Sequence, residues 1–349
     1  LLSHLPSVCA HDILVLLLKH TVARGNLSGQ ELRDLQFSRL FGVFALVRSG
    51  LLYAPTSSLA TFQRAFHVLS KVAYYKSWIS ESCGWIVMQM LLPLARDNVS
   101  RPPWANEALD WVAGCLAATH SLSPETLALA LTLARIAPEL NIGSRMSPPL
   151  KHPCILAMPN LALLATVLRE GATMHLQPDM PQPKPGTWSA KLPFVWDMIL
   201  ETYFEHGAPA DAAPFADFFR VVVDETLFST QASPERKSWG FQVLHRALQR
   251  APAETLPFLF TPNLIRTWVN QLSVTDRLLH SMAQKTVTYV GEAVKRSPTA
   301  GMALVTQLMG EHGRPDFDRV THTKTIESIL SSLDEAGIQK YLAYLRNVA

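Results

Sequence analysis

The sequence of 349 residues is poor in charge and in cysteine. Charged residues make up 17%, and 31 Lys and Arg against 28 Asp and Glu leave a formal net charge of +3. Nucleic-acid binding needs clustered cations, so this balance excludes a chain whose overall field attracts nucleic acid and leaves only local patches. The four cysteines, Cys9, Cys83, Cys115 and Cys154, form no Cys-x-x-Cys pair. We therefore expect reduced, packed thiols in a reducing compartment.

Long hydrophobic runs are also lacking. The apolar run DILVLLLKH, residues 12–20, is far too short to span a bilayer and has no cleavage site behind it. We therefore expect a soluble chain with no membrane partner. The sequence begins at Leu1 rather than at methionine, so we also expect it to be part of a longer protein.

Short motifs of catalysis and cofactor binding are missing as well. The sequence contains no Gly-x-x-x-x-Gly-Lys, no Gly-x-Gly-x-x-Gly after a strand, no Gly-x-Ser-x-Gly and no His-Glu-x-x-His. His152 and Cys154 offer two types of metal ligand at close spacing, but nothing nearby completes a tetrahedral set. We predict no catalytic residue, no metal, no cofactor and no small-molecule substrate.

Two acidic pairs could in principle serve two-metal phosphoryl transfer, which needs carboxylates that converge on ions about 4 Å apart. Asp224 and Glu225 are adjacent on a helical pattern and point in different directions, while Asp316 and Asp318 resemble turn and helix-start residues. We therefore predict structural roles for both pairs.

Helix signals run from end to end of a chain that is 48% hydrophobic. Helix starts with Ser or Thr before Pro recur at positions 123, 233, 261 and 297. We count roughly sixteen amphipathic segments and almost no period-two alternation. The sequence thus predicts an all-α protein, an armadillo- or HEAT-like α-solenoid of stacked antiparallel helix pairs.

Proline density suggests how the chain is divided. The segment 141–188 contains SRMSPPLKHPC and QPDMPQPKPGTW, which favour an extended connection over a helix. We predict an N-terminal helical-repeat segment at 1–140, a Pro-rich linker at 141–188 and a C-terminal helical-repeat segment at 189–349. The PQPKPG stretch could alternatively be a proline-rich ligand for a partner. Helix 29–50 has two adjacent apolar stripes, one of them Phe37, Phe41 and Ala45, which predicts an inner helix buried nearly all round.

The helix that begins at Ser233 carries the most notable basic cluster. Phe241, Leu244 and Leu248 form a core stripe, while a tryptophan and arginines lie on the other side. Arginine beside an exposed aromatic can stack on a base or contact a partner; the alternative is arginine packed along the next helix layer. The candidate contacts for nucleic acid or a partner are Arg236, Lys237, Trp239, Arg246, Arg250, Arg314, Arg319 and Lys324.

Five stretches, in order, resemble the family of DNA polymerase V (polymerase phi) and Myb-binding protein 1A. They are FSRLFGVFALVRSGLL (37–52), KSWISESCGWIV (76–87), KLPFVWDMIL (191–200), FFRVVVDETLFSTQASPERKSWGFQVL (218–244) and FDRVTHTKTIESIL (317–330). Pro193 stands where the family tends to have histidine. The family's basic beginning and its long acidic C-terminal part have no counterpart among these residues.

The resemblance implies an armadillo-like scaffold of the nucleus and nucleolus that acts in ribosome biogenesis: pre-rRNA processing, pre-ribosome assembly and regulation of rRNA gene transcription. The partners it implies are pre-ribosomal proteins and rRNA, with rDNA chromatin or transcription factors beside them. The family's name makes template-directed DNA polymerase one alternative, although the sequence has no Asp-Thr-Asp core and no predicted strand to hold it. An unrelated HEAT-type adaptor or transport receptor is the other.

Overall fold

The computed structural model describes residues 9–23, 25–75, 77–95, 101–119, 122–170 and 190–348. These residues form seventeen α-helices joined by turns and short 3₁₀ segments, and they contain no strand. The prediction of an all-α protein is therefore confirmed, while the repeat type stays a prediction. No described helix combines the length and the apolar character that crossing a membrane requires.

The chain divides into two compact units, most of the first being Leu1–Ile155 and most of the second Leu156–Arg169 together with Trp196–Ala349. The first unit contains α1 (Ala10–His20), α2 (Gly29–Arg48), α3 (Leu59–Tyr75), α4 (Ser77–Leu91), α5 (Ala105–Ala117), α6 (Pro124–Ile136) and α7 (Ile142–Arg145).

The second unit contains α8 to α17. Their bounds are α8 (Leu161–Glu170), α9 (Val195–Phe204), α10 (Phe215–Phe218), α11 (Pro234–Arg250), α12 (Pro262–Leu272), α13 (His280–Arg296), α14 (Gly301–Met309), α15 (Phe317–Thr321), α16 (Thr325–Ser331) and α17 (Glu335–Val348). A π-helical turn, Phe219–Asp224, continues α10.

Local capping explains where several helices begin. Ser123 and Ser233 accept hydrogen bonds from the third backbone amide of α6 and α11, and proline occupies the first helical position of both. Thr261 is the N-cap of α12, but its side chain makes no cap bond to the backbone amides of that helix. The start predicted at Ser297 is a 3₁₀ turn, Pro298–Ala300, that leads into α14.

The four cysteines are free thiols; Cys83 is buried and the other three are half-buried. The prediction of packed thiols is confirmed for Cys83.

Part of the predicted linker is structured. Residues 142–145 and 161–170 are helical, and Leu161, Leu164 and Leu168 are buried. The prediction of an extended connection is therefore wrong for residues 142–145 and 161–170 of this segment, while residues 146–157 lie in turns and bends outside any helix. Its prolines occupy turns and helix starts, such as Pro159 in the 3₁₀ turn before α8, where they are compatible with helix. The PQPKPG stretch lies outside the described residues.

Helix α2 is not buried all round. Leu40 and Val43 face the core, but Phe41 is 59% exposed and Ala45 is also exposed. The prediction of an inner helix is wrong because the helices that pack against α2, namely α1, α3 and α4, leave Phe41 and Ala45 exposed.

Candidate functional site

Two of the predicted contact arginines pair with carboxylates in the second unit. Arg246 Nη1 lies 2.7 Å from Asp197 Oδ2, and Arg250 Nη1 lies 2.9 Å from Asp197 Oδ1. Arg250 Nε also lies 3.3 Å from Glu205 Oε1. These ion pairs join α11 to the region of α9, so both arginines pack along a neighbouring helix layer, the alternative considered above. Their charge is largely neutralised within the fold.

Trp239 is buried, with 3% of its surface exposed. The guanidinium of Arg236 lies 4.9 Å from its ring centroid in a cation–π contact. The expectation of an exposed aromatic is therefore wrong for Trp239. Helix α11 has packing partners on two sides, through Asp197 toward α9 and through a 2.8 Å bond between His245 and Thr286 toward α13. Lys237 is half-exposed and forms no ion pair with a described residue.

The later predicted cluster is paired with neighbouring acids. Arg314 Nε and Arg319 Nη2 lie 3.0 and 2.6 Å from the two oxygens of Asp316, and Lys324 Nζ lies 3.2 Å from Glu327 Oε2. The hydrogen bonds from Arg319 and then Arg314 lower the pKa of Asp316 to about 2. Asp316 and Glu327 therefore offset two of the three positive charges of this surface.

The acidic residues considered as metal ligands serve as helix caps. Asp224 is 3% exposed, and its Oδ1 accepts bonds from the Leu264 amide at 2.8 Å and the Thr261 hydroxyl at 2.6 Å, at the start of α12. Asp318 Oδ1 accepts the Ile326 amide at 3.0 Å at the start of α16. The predicted structural roles are confirmed for Asp224 and Asp318.

No group of three or more His, Cys, Asp or Glu side chains able to hold a metal ion occurs within the described part of the chain. His152 Nδ1 instead accepts a bond from the Cys154 amide at 3.1 Å.

A basic groove lies in the first unit, between α1, α2 and α3. Its volume is about 680 Å³, and we call it the α3 groove. It is lined by Leu18, Arg39, Ala60, Gln63, Arg64, His67, Val68 and Lys71. Arg64, His67 and Lys71 are exposed side chains of α3 that can carry a positive charge. Among the described residues, no carboxylate lines the groove.

The cations of the α3 groove are free to meet an anion. Arg64 and Lys71 form no ion pair with any described residue, and both are exposed. Arg39 donates from Nη2 to the Thr21 carbonyl at 2.7 Å and from Nε to the Thr21 hydroxyl at 3.1 Å. These bonds to the C-cap of α1 hold the Arg39 guanidinium at the groove wall. The positive charge of Arg39 is therefore held in one position, while the side chains of Arg64 and Lys71 can adjust to a bound anion.

His67 lies between Arg64 and Lys71 on the same face of α3. Its ring contacts Trp111 edge-to-face, with centroids 5.3 Å apart. Partial burial, and then the charge of Lys71, lower the pKa of His67 below its usual 6.5. His67 is therefore mostly neutral at neutral pH and can gain a proton when an anion enters the α3 groove.

Sequence reasoning missed the α3 groove, although part of it was visible. In LATFQRAFHVLSK, residues 59–71, the three basic residues are spaced by three and four, which places them on one helical face. The cations near Trp239 form the denser basic cluster in the sequence, but the sequence does not determine whether Trp239 is exposed. Arg39 comes from another helix, so no local pattern could assign it to this site.

Comparison with known proteins identifies the family. The sequence model of the family described as DNA polymerase phi matches residues 1–349. The chain belongs to this family. The resemblance seen in the sequence is confirmed. The alternative that the chain is an adaptor or transport receptor unrelated to this family is therefore wrong.

Two curated relatives of this chain come from yeasts. The rDNA transcriptional regulator pol5 of Schizosaccharomyces pombe is 32% identical over 355 residues, which cover 99% of this chain. The rDNA transcriptional regulator POL5 of Saccharomyces cerevisiae is 26% identical over 344 residues, which cover 88% of this chain. The chain spans 36% and 33% of the lengths of these relatives. No solved structure gives a significant match.

Proposed function

We propose that this member of the DNA polymerase phi family is a nuclear, nucleolar helical scaffold that regulates rRNA gene transcription. The α3 groove would contact nucleic-acid phosphates. The observation that carries the proposal is the unpaired charge of Arg64 and Lys71 in a groove without carboxylates. Two relatives named as rDNA transcriptional regulators support it. The proposal extends to ribosome biogenesis, with pre-ribosomal proteins and rRNA as partners and rDNA chromatin or transcription factors beside them.

The geometry of the α3 groove suits a sugar–phosphate strand. Arg64 and Lys71 are seven residues apart on α3, which is about 10 Å along the helix axis. Phosphates follow one another at about 3.4 Å along the axis of one strand of duplex DNA, so two such cations can meet phosphates a few nucleotides apart. Contacts of this kind position a nucleic acid without reading its sequence.

We propose further that this part of the chain is not a polymerase. Two-metal phosphoryl transfer needs carboxylates with lone pairs available to ions. The Asp224 and Asp318 carboxylates instead accept backbone amides of α12 and α16, and Asp316 is held by two arginines. The names of the two relatives, which describe regulators, support the same proposal.

Neutralising the α3 groove is expected to weaken nucleic-acid binding. We expect Arg64→Gln with Lys71→Gln to weaken binding of a duplex of about 20 base pairs at least tenfold, and to reduce the slope of log affinity against log salt by about 2. Fluorescence anisotropy titrations at several salt concentrations, with duplex DNA and single-stranded RNA, measure both quantities.

The matched control is Arg314→Gln with Arg319→Gln, which removes the same formal charge from a surface already paired with Asp316. We expect this control to leave the salt slope nearly unchanged. Equal losses in the two double variants would mean that only net charge matters, and an unchanged slope in the groove variant would rule the α3 groove out as the contact.

The affinity for nucleic acid is expected to rise as the pH falls, through His67. The pKa of His67 is lowered in the free protein, and a bound phosphate favours the protonated ring, so binding takes up a proton near and below about pH 6.5. The same titrations at about pH 7.5 and pH 6, at constant ionic strength, should show a smaller rise for His67→Gln. Identical pH dependence in both proteins would contradict a contact between His67 and phosphate.

A further inference from the structure

One side of α2 is aromatic, with Phe41 exposed and Phe37 and Phe44 half-buried. Phe37, Phe41 and Phe44 are spaced by four and three residues, so they lie along one face of the helix. The rings of Phe37 and Phe41 stack with centroids 5.7 Å apart and planes at 11°. Phe41 remains 59% exposed, the largest exposure of any described phenylalanine. Such a face on a helix of 20 residues is unusual for a surface in contact only with water.

Trp85 of α4 widens this face. Its ring centroid lies 5.6 Å from that of Phe44, with the planes at 59°, and 36% of the residue is exposed. Large aromatic side chains with both an apolar body and exposed area are typical anchors of protein interfaces. Phe37, Phe41, Phe44 and Trp85 form what we call the α2 aromatic face.

An arginine stands at each end of the α2 aromatic face. Arg33 precedes Phe37 by four residues and Arg48 follows Phe44 by four, so both share the side of the phenylalanines. The Arg48 guanidinium lies 5.9 Å from the centroid of the Phe44 ring. Both arginines are exposed, and neither forms an ion pair with a described residue. Fifteen residues of helix separate them, or about 22 Å.

We propose that the α2 aromatic face binds an amphipathic helix of a partner protein, apolar along one side and acidic near both ends. The apolar side of the partner helix would pack on the phenylalanines and Trp85, as amphipathic helices do when they bind an apolar surface of another protein. Its terminal carboxylates would meet Arg33 and Arg48, so the partner helix spans about four turns. This surface is separate from the α3 groove and does not depend on nucleic-acid binding there.

Other occupants fit the surface less well. Two cations about 22 Å apart are too sparse to follow a phosphate backbone. A second copy of α2 would place arginines opposite arginines in either orientation, which is repulsive. A helix with acidic ends complements both the apolar and the charged parts of the face.

The probe is a synthetic helical peptide of about 18 residues with leucines at i, i+4, i+7 and i+11 and glutamates at both ends. The comparison peptide has lysines in place of the glutamates. We expect the 349-residue chain to bind the glutamate peptide about tenfold more tightly, measured by fluorescence anisotropy. Phe41→Gln should weaken that binding about tenfold, because it removes the most exposed ring without opening the core.

A charge-reversal variant distinguishes specific recognition of the acidic ends from non-specific hydrophobic binding. In Arg33→Glu with Arg48→Glu, preference should shift to the lysine peptide. The matched control is Phe258→Gln, since Phe258 is 56% exposed in the second unit and should leave peptide binding unchanged. Equal binding of both peptides, or an unchanged preference after the swap, overturns the proposal. So does Phe41-dependent binding of a single-stranded RNA or Phe41-dependent dimerisation, which would identify RNA or a second copy as the occupant.

Discussion

Replacing Asp224 with alanine is expected to lower the free energy of unfolding of the second unit by about 3 kcal/mol. Asp224 is 3% exposed, and its carboxylate accepts the Leu264 amide at 2.8 Å and the Thr261 hydroxyl at 2.6 Å. Its Oδ2 also faces the Asn263 amide at 3.4 Å. Alanine would leave the first amides of α12 buried without an acceptor, because the N-cap Thr261 makes no side-chain cap bond of its own.

Hydrogen exchange of the α12 amides, together with urea unfolding, measures the loss of unfolding free energy in the second unit. The local readout is needed because a chain with two units need not unfold in one step. Asp224→Asn keeps an acceptor oxygen and should cost about 1 kcal/mol.

The matched control is the neighbouring carboxylate. Glu225 lies 2.7 Å from Arg220, with 49% of its side chain exposed, so Glu225→Ala should cost less than about 1 kcal/mol. Equal losses at the two positions would contradict the capping role of Asp224. A rise in melting temperature with magnesium that Asp224→Ala abolished would instead favour the polymerase alternative.

Helix starts could be predicted because their causes are local. Ser123 and Ser233 bond to amides three residues ahead, so the sequence contains both partners of each cap. The cap of α12 is different. Its acceptor, Asp224, lies 40 residues before the Leu264 amide, and nothing in the local pattern links the two. The structural role of Asp224 was predicted, but its partner was not.

The partners of the basic cluster on α11 could not be predicted from the local sequence either. Packing of the arginines along the next helix layer was one of the two alternatives that the sequence left open. The sequence could not show that Asp197, 49 residues before Arg246, neutralises the cluster. A sequence gives the number of charged residues but not the ion pairs that they form. Binding of an anion depends on the positive charge that remains after these ion pairs have formed. Arg64 and Lys71 of the first unit form no ion pair with a described residue, although the sequence did not single them out.

Exposure of apolar residues was the hardest feature to predict. Phe41 and Trp239 each lie beside helical core positions, yet Phe41 is 59% exposed and Trp239 is 3% exposed. A helical period fixes which residues share a face but not which faces other helices cover.

Glu125 is a buried carboxylate, and its ionisation destabilises the folded state. It lies at the start of α6 and is 7% exposed, and Ser123 Oγ donates to its Oε2 at 2.9 Å. Helix α4 approaches closely at Gly84, where a Cβ atom would lie 2.8 Å from the Cβ of Glu125. Burial raises the pKa of Glu125 to about 7, despite the hydrogen bond from Ser123. The carboxyl is therefore protonated in the folded protein at mildly acidic pH.

Glu125→Gln is expected to stabilise the first unit above neutral pH. The folded pKa of about 7 exceeds the ordinary value of 4.5, so the folded state binds the proton more tightly. The stabilisation from this proton is fully present below pH 4.5 and is lost as the pH rises to about 7. Glutamine is neutral throughout and should raise the free energy of unfolding by about 2 kcal/mol at pH 8. At pH 5, just above the unfolded pKa, the difference should fall to about 1 kcal/mol or less.

A second glutamate provides a control of opposite sign. Glu31 accepts the Ser28 amide at 2.7 Å in the capping box of α2, and that bond lowers the pKa of Glu31. Its ionised form supports the fold, so Glu31→Gln should destabilise the first unit at pH 8 while Glu125→Gln stabilises it. Urea unfolding of both variants at pH 5 and pH 8 measures the contrast. A Glu125→Gln variant that lost stability equally at both pH values would mean that Glu125 acts through hydrogen bonds and packing rather than through its ionisation.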